Sequence, residues 1–138
     1  MSRVVLLCVP FVSTKINLIF IVPIPWGNTN WINDNDEERQ WMDNHIRRTA
    51  HYLQAEPSPQ FDMSLQITIP NEWEDIAKVN VGYTAGIETT RVAPQWLEKA
   101  NMMDRIIVVS NHAKQVFESS AYDAQNRQTG EKATIKLE

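Results

Sequence analysis

Apolar and polar positions along this chain fall into blocks with two different periods. Residues 4–12 and 16–22 are near-continuous apolar, β-branched runs, as strands covered on both faces should be. Ser13, Thr14 and Lys15 join them. The second run ends in Pro23, Ile24, Pro25, Trp26, Gly27, Asn28, Thr29 and Asn30, a composition that predicts a loop. A helix is then predicted to start near Asp34 or Asn35. Glu37 or Glu38 follows three residues later at capping-box spacing, and an acidic first turn suits the helix dipole. Met42, Ile46, Thr49, Ala50 and Leu53 recur at helical spacing as one stripe, and Pro57 and Pro59 end the helix.

The second half repeats this logic. Residues 63–69 alternate apolar side chains with Ser64, Gln66 and Thr68, which predicts a strand, and Pro70, Asn71, Glu72 and Trp73 follow as a polar turn. Residues 79–84 read as the next strand, with Gly86 allowing a tight turn after it. Pro94 suits the first position of a helix containing Leu97 and Ala100. Residues 106–109 form the clearest buried strand, and Ser110 caps a helix whose Ala113, Val116 and Phe117 share a face. A turn at 126–130 and a strand at 133–137 close the chain. Strands alternating with helices predict one α/β domain over residues 1–138, a Rossmann-like three-layer sandwich with a mainly parallel sheet.

Composition narrows the function. The chain has 138 residues, 43% hydrophobic and 22% charged, as ordinary globular proteins do. Its net charge is −4 with no Lys/Arg cluster, which argues against a nucleic-acid groove. A lone Cys8 cannot form an intrachain disulfide and reads as a small hydrophobe in a reduced compartment. The N-terminal run resembles a signal peptide and approaches membrane-span length. Pro10, Lys15, Pro23 and Pro25 interrupt it, so two short strands, no membrane span and a cytoplasmic location are expected. There is no G-x-G-x-x-G, P-loop or G-x-S-x-G motif and no metal-type Cys/His spacing. His45 and His51 are six residues apart, about 600° around a helix axis, and do not share a face. No metal and no tightly held cofactor are expected.

What remains is a set of polar loops after strands: residues 26–30, Asn71 with Glu72, residues 86–91 and residues 110–112. In a parallel sheet they converge on one edge and line a cleft. Each is also, by itself, a strand-ending turn with its caps. Glu88 can bind sugar hydroxyls or act as a base, or it can cap and pair with Arg91. Thr89 and Thr90 can bond phosphate or sugar, or cap their own turn. Ser110 reads as a helix N-cap, and the N-terminus it caps, with Asn111 and His112, is suited to an anion or a sugar acceptor. Trp26 and Trp73 flank loops and are the better stacking candidates, whereas Trp41 and Trp96 read as helix packing.

These loops also carry a resemblance. Gly86-Ile87-Glu88-Thr89-Thr90-Arg91, then Pro94-Gln95-Trp96, Met103-Asp104 and Val108-Val109-Ser110-Asn111, with Lys114, Val116 and Phe117, resemble the N-terminal domain of GT-B glycosyltransferases. The likeness is to the retaining, family-four type, including phage and marine microbial forms, and it is dense over residues 79–117 and weak elsewhere. The first glycine-rich loop of that family is reduced here to Trp26, Gly27, Asn28 and Thr29. The resemblance implies the acceptor-side half of an enzyme that moves a sugar from a nucleotide-sugar to a hydroxyl acceptor. Residues 86–90 and 110–112 would line the cleft, with Asn71 and the residue 26–28 loop beside them. The nucleotide-sugar, a co-substrate rather than a cofactor, would be held mainly by a C-terminal donor domain for which this chain has no counterpart. That implies a truncated product or one half of a split enzyme, with a partner chain supplying the donor site and with its exposed wall open to homo-oligomer formation. A non-catalytic carbohydrate-binding or interaction module is the second reading. A flavodoxin-like or nucleotide-binding α/β domain is a third, against which the missing glycine fingerprint counts.

Overall fold

The computed structural model describes residues 4–10, 17–23, 36–57, 60–86, 89–125 and 130–138. The chain divides into two compact units, Met1–Ile67 with Ile76–Asn80 and Thr68–Asp75 with Val81–Glu138. Among the described residues there are seven strands, three α-helices and one 3₁₀ turn, so the predicted mixed α/β class is observed.

In the first unit, strand β1 (Val4–Pro10) pairs antiparallel with β2 (Asn17–Pro23), Val4 opposite Pro23 and Pro10 opposite Asn17. Strand β3 (Phe61–Ile67) pairs antiparallel with β1 on its other side, Cys8 opposite Met63. The first half of β4 (Ala77–Thr84) runs beside β3. Lys78 Nζ donates to Asp62 Oδ1 at 2.7 Å and Ser64 Oγ donates to Asn80 Oδ1 at 2.8 Å, and both links span 16 residues. A constant offset is the mark of a parallel pair, whereas antiparallel partners keep a constant sum. The expectation of a mainly parallel sheet thus holds at β3–β4 and is corrected at β1, whose two neighbours run antiparallel to it. Physically, only the six residues 11–16 separate β1 from β2, too few for a parallel crossover.

Helix α1 (Glu37–Leu53) starts at Asp36, whose side chain makes no cap bond, and Asp34 and Asn35 lie outside the described residues. Its buried stripe centres on Thr49 and Tyr52, while Ala50 and Leu53 are exposed, against expectation. The reason is where the helix rests. Ile21 N–H donates to Thr49 Oγ1 at 2.9 Å and Arg48 donates to the Ile19 carbonyl at 2.7 Å. Helix α1 therefore satisfies backbone groups along β2, a standard protection for a strand edge. Tyr52 then stacks on Phe20 at 4.4 Å, and Phe61 meets Phe20 edge-on at 5.6 Å.

The alternation in β3 is inverted relative to an ordinary half-buried strand. Ser64 and Gln66 are buried and Met63 is 40% exposed. Burial of these polar groups is tolerable because Asn80 organises them. Its Oδ1 accepts from Ser64 Oγ and from the Ile76 and Ala77 amides, its Nδ2 donates to the Ala77 carbonyl, and Gln66 donates to Ser64 Oγ.

In the second unit, Val81–Thr84 of β4 runs parallel to β5 (Arg105–Val108), Val81 opposite Arg105 and Thr84 opposite Val108. Helix α2 (Pro94–Ala100) has Pro94 in its first turn, as predicted, and helix α3 spans Asn111–Ser119. Strands β6 (Ala121–Gln125) and β7 (Lys132–Lys136) form an antiparallel pair. The core is Trp73, Val92, Leu97, Ala100, Val116 and Phe117, against which Ile106 and Val108 also pack. Ser120 and Tyr122 tie the chain between β4 and α2 to this core. Val92 N–H donates to Ser120 Oγ at 3.1 Å, and Tyr122 Oη donates to the Val92 carbonyl at 2.6 Å. The strand predicted as the clearest buried one is only half so: Ile107 is 44% and Val109 58% exposed. Ile106 and Val108 face the core and their alternating neighbours face away from it. Among the described residues no helix is long and apolar enough to cross a membrane.

Replacing Asn80 with Ala removes the acceptor of two backbone amides and a serine hydroxyl at once. We expect a loss of about 2–4 kcal/mol in urea-unfolding stability, since each buried donor left unpaired costs roughly 1–3 kcal/mol. A loss below about 1 kcal/mol would contradict the central place given to Asn80.

Candidate functional site

Because β4 and β5 are parallel, the segments that leave them emerge at the same end of the pair. Two of the predicted loops start there. The one after β4 carries Gly86, at φ +80°, a conformation that L side chains rarely adopt. A Cβ built on Gly86 would lie 2.6 Å from Ala113 Cβ, on the first turn of α3. The backbone of one loop is thus laid directly on the start of the next helix.

That helix begins as the sequence predicted. Ser110 is extended at φ −152°, ψ 156°, and its Oγ accepts from Ala113 N–H at 3.0 Å. The Asn111 and His112 amides, one turn too early for an intrahelical acceptor, belong to the positive end of α3. Next to them is an open depression of about 520 Å³ lined by residues 106–111 and Lys114. Consecutive strand residues alternate between faces, so a depression lined by three of them in a row, Ile106 to Val108, follows the strand's edge. Lys114 is exposed and forms a loose 3.6 Å pair with Glu118.

The structure therefore brings Gly86 against α3 and places Ser110 and Asn111 on the depression. Thr89 and Thr90 are exposed, and Thr89 Oγ1 donates to the Arg91 carbonyl at 2.8 Å, the turn-capping alternative named above. His112 is exposed on the first turn of α3 and does not line the depression. Asn71 is half-buried in the 3₁₀ turn Pro70–Glu72, which packs on α2, and it too is away from the depression. Glu88, Trp26, Gly27 and Asn28 lie outside the described residues.

Two tryptophan expectations are reversed. Trp73 is fully buried, so it cannot stack on a ligand, because its indole lies flat against Gly82, where a Cβ would come within 2.6 Å of the ring. Trp41 is 52% exposed and sits 4.0 Å from the His45 ring. Lys114 is the site residue that reading by loops passed over, since it lies inside a helix. Its spacing from Ser110, four residues on and hence the same helix face, was the available signal.

Chemically, the described lining offers a hydroxyl, a carboxamide, an ammonium and helix-terminal amides, donors suited to hydroxyl-rich or anionic ligands. No group of three or more His, Cys, Asp or Glu among the described residues could hold a metal ion. Comparison with family models, with curated proteins and with solved structures returns no match.

Gly86→Ala should cost about 2–4 kcal/mol, combining strain at positive φ with overlap against Ala113. Adding Ala113→Gly removes the overlap. In a double-mutant cycle from thermal or urea unfolding, the pair should therefore be less destabilised than the sum of its single changes. Simple additivity would mean that Gly86 and α3 are not in contact.

Proposed function

We propose that this chain is the acceptor-side, N-terminal domain of a GT-B-type glycosyltransferase, acting in the cytoplasm. On this reading it presents a sugar or glycan hydroxyl to a nucleotide-sugar held by a second Rossmann-like domain or a partner chain. The order β4, α2, β5, α3 with β4 parallel to β5 is a βαβ crossover followed by a helix, which supports a Rossmann-like assignment. The observation that carries the proposal is the contact of Gly86 with Ala113. It joins two loops that both lie within residues 79–117, where the resemblance to glycosyltransferases is dense, and joins them at a helix N-terminus rich in hydrogen-bond donors.

The residues take simple roles. Ser110 holds the first turn of α3 in place, Asn111 and the first-turn amides donate to acceptor hydroxyls, and Lys114 favours an anionic group nearby. Gly86 permits the close approach, and Thr89 braces its own loop through the Arg91 carbonyl.

The test is a ¹H–¹⁵N titration of the chain with a panel of neutral and phosphorylated mono- and disaccharides, with free nucleotide as control. We expect saturable, millimolar-range shifts at Gly86, Thr89, Ser110 and Asn111 with at least one sugar, and much smaller ones with nucleotide. Shifts confined to residues outside these loops, or no shift with any sugar, would overturn the proposal.

A further inference from the structure

Val92 belongs to no helix or strand, yet it is fully buried in the core of the second unit, and side chains take both of its backbone polar groups. Its N–H donates to Ser120 Oγ at 3.1 Å and its carbonyl accepts from Tyr122 Oη at 2.6 Å, links that span 28 and 30 residues. Ser120 is itself 1% exposed and stands at the C-terminal end of α3. Its one hydroxyl proton goes to the Val116 carbonyl at 2.6 Å, which leaves its lone pairs for the Val92 amide.

Two further contacts carry this hold back along the chain. The Arg91 guanidinium lies over the Tyr122 ring, 5.8 Å from its centroid, and the Arg91 carbonyl accepts from Thr89 Oγ1 at 2.8 Å. Thr89, Thr90 and Arg91 are exposed, and an exposed stretch outside regular structure is ordinarily among the least ordered parts of a fold. Here it is fastened to two residues at the junction of α3 and β6.

We infer that Ser120 and Tyr122 are positioning residues of the candidate site, holding residues 89–92 so that Thr89 and Thr90 stand in one arrangement before a ligand arrives. They act through Arg91 and Val92 and touch no ligand themselves. A loop fixed beforehand in its binding arrangement loses less freedom when the ligand docks. With its proton given to the Arg91 carbonyl, Thr89 Oγ1 is left to accept from a sugar hydroxyl. The consequence for sugar binding rests on the acceptor-side reading above.

The first unit supplies a matched control. Thr49 is also 1% exposed, and its hydroxyl likewise accepts from a backbone amide, that of Ile21 at 2.9 Å, while donating to the carbonyl four residues earlier, that of His45 at 2.7 Å. Ser120→Ala and Thr49→Ala therefore remove the same kind of bond from different units. Tyr122→Phe removes the Oη bond alone and keeps the ring beneath Arg91. Amide hydrogen exchange and the sugar titration, run on these three chains and the parent, separate positioning from general weakening. In Ser120→Ala, exchange at the Val92 amide should rise about tenfold beyond any change at Phe117. In both Ser120→Ala and Tyr122→Phe, the Thr89, Thr90 and Arg91 amide resonances should move, and sugar affinity should fall about threefold to tenfold. Thr49→Ala should lose comparable unfolding stability and bind sugar like the parent. Unmoved resonances at residues 89–91 in both variants would overturn the inference, as would parental affinity in both or an equal affinity loss in Thr49→Ala. A parent chain that binds no sugar defeats the acceptor-side reading alone. Residues 89–92 then still answer to the exchange and resonance measurements, which need no ligand.

Discussion

The second unit depends on one packing arrangement, the Trp73 indole lying on the bare backbone of Gly82. An indole excluded from water buries roughly 150–250 Å², worth about 4–6 kcal/mol at ~25 cal/mol/Å² before any loss of chain entropy. Any side chain at position 82 would lift the ring from β4. With the ring seated, Val92, Leu97, Ala100, Val116 and Phe117 close around it, and α2 and α3 acquire fixed positions. The fixed α3 then holds Ala113 where only a glycine can pass, at Gly86. The candidate site is in this sense a consequence of core packing: the loop takes its place from the helix, and the helix takes its place from the core.

Polarity in both units runs against the simplest rule for strands, and for reasons that differ. In β3 the polar Ser64 and Gln66 are interior because Gln66 donates to Ser64 Oγ and Ser64 donates to Asn80 Oδ1, and the same asparagine oxygen accepts from the Ile76 and Ala77 amides at the start of β4. A network satisfied in this way can be buried at little net cost and specifies one strand register. In β5 the apolar Ile107, and Val109 just past the strand's end, are exterior. The first arrangement completes itself within its own unit.

Much of the fold was legible in the sequence wherever a local rule decides the outcome. Ser110 caps α3, Pro94 opens α2, and Ala113, Val116 and Phe117 share the buried face, because capping, proline geometry and helical period act over a few residues. Errors arose where tertiary contacts decide. The stripe of α1 is rotated toward Thr49 and Tyr52 because the helix satisfies the backbone of β2, and no periodicity reports a bond from Arg48 to Ile19. Trp73 looked like a loop aromatic, since nothing local says that Gly82 will receive it. The direction of β1 relative to β3 depends on long-range pairing and was missed. Within the site, the convergence of Gly86 with Ser110 and Asn111 followed from assuming parallel strands, which holds at β4–β5. Asn71 and His112 obeyed the same assumption and still do not line the depression.

The contact that joins the two strand-end loops is open to direct observation. A nuclear Overhauser cross-peak between the Gly86 α-protons and the Ala113 methyl group should be among the stronger long-range peaks of the chain. Its absence, with both resonances assigned and the Trp73 core intact, would mean that the loops do not share a surface, and the acceptor-side reading would lose its structural support.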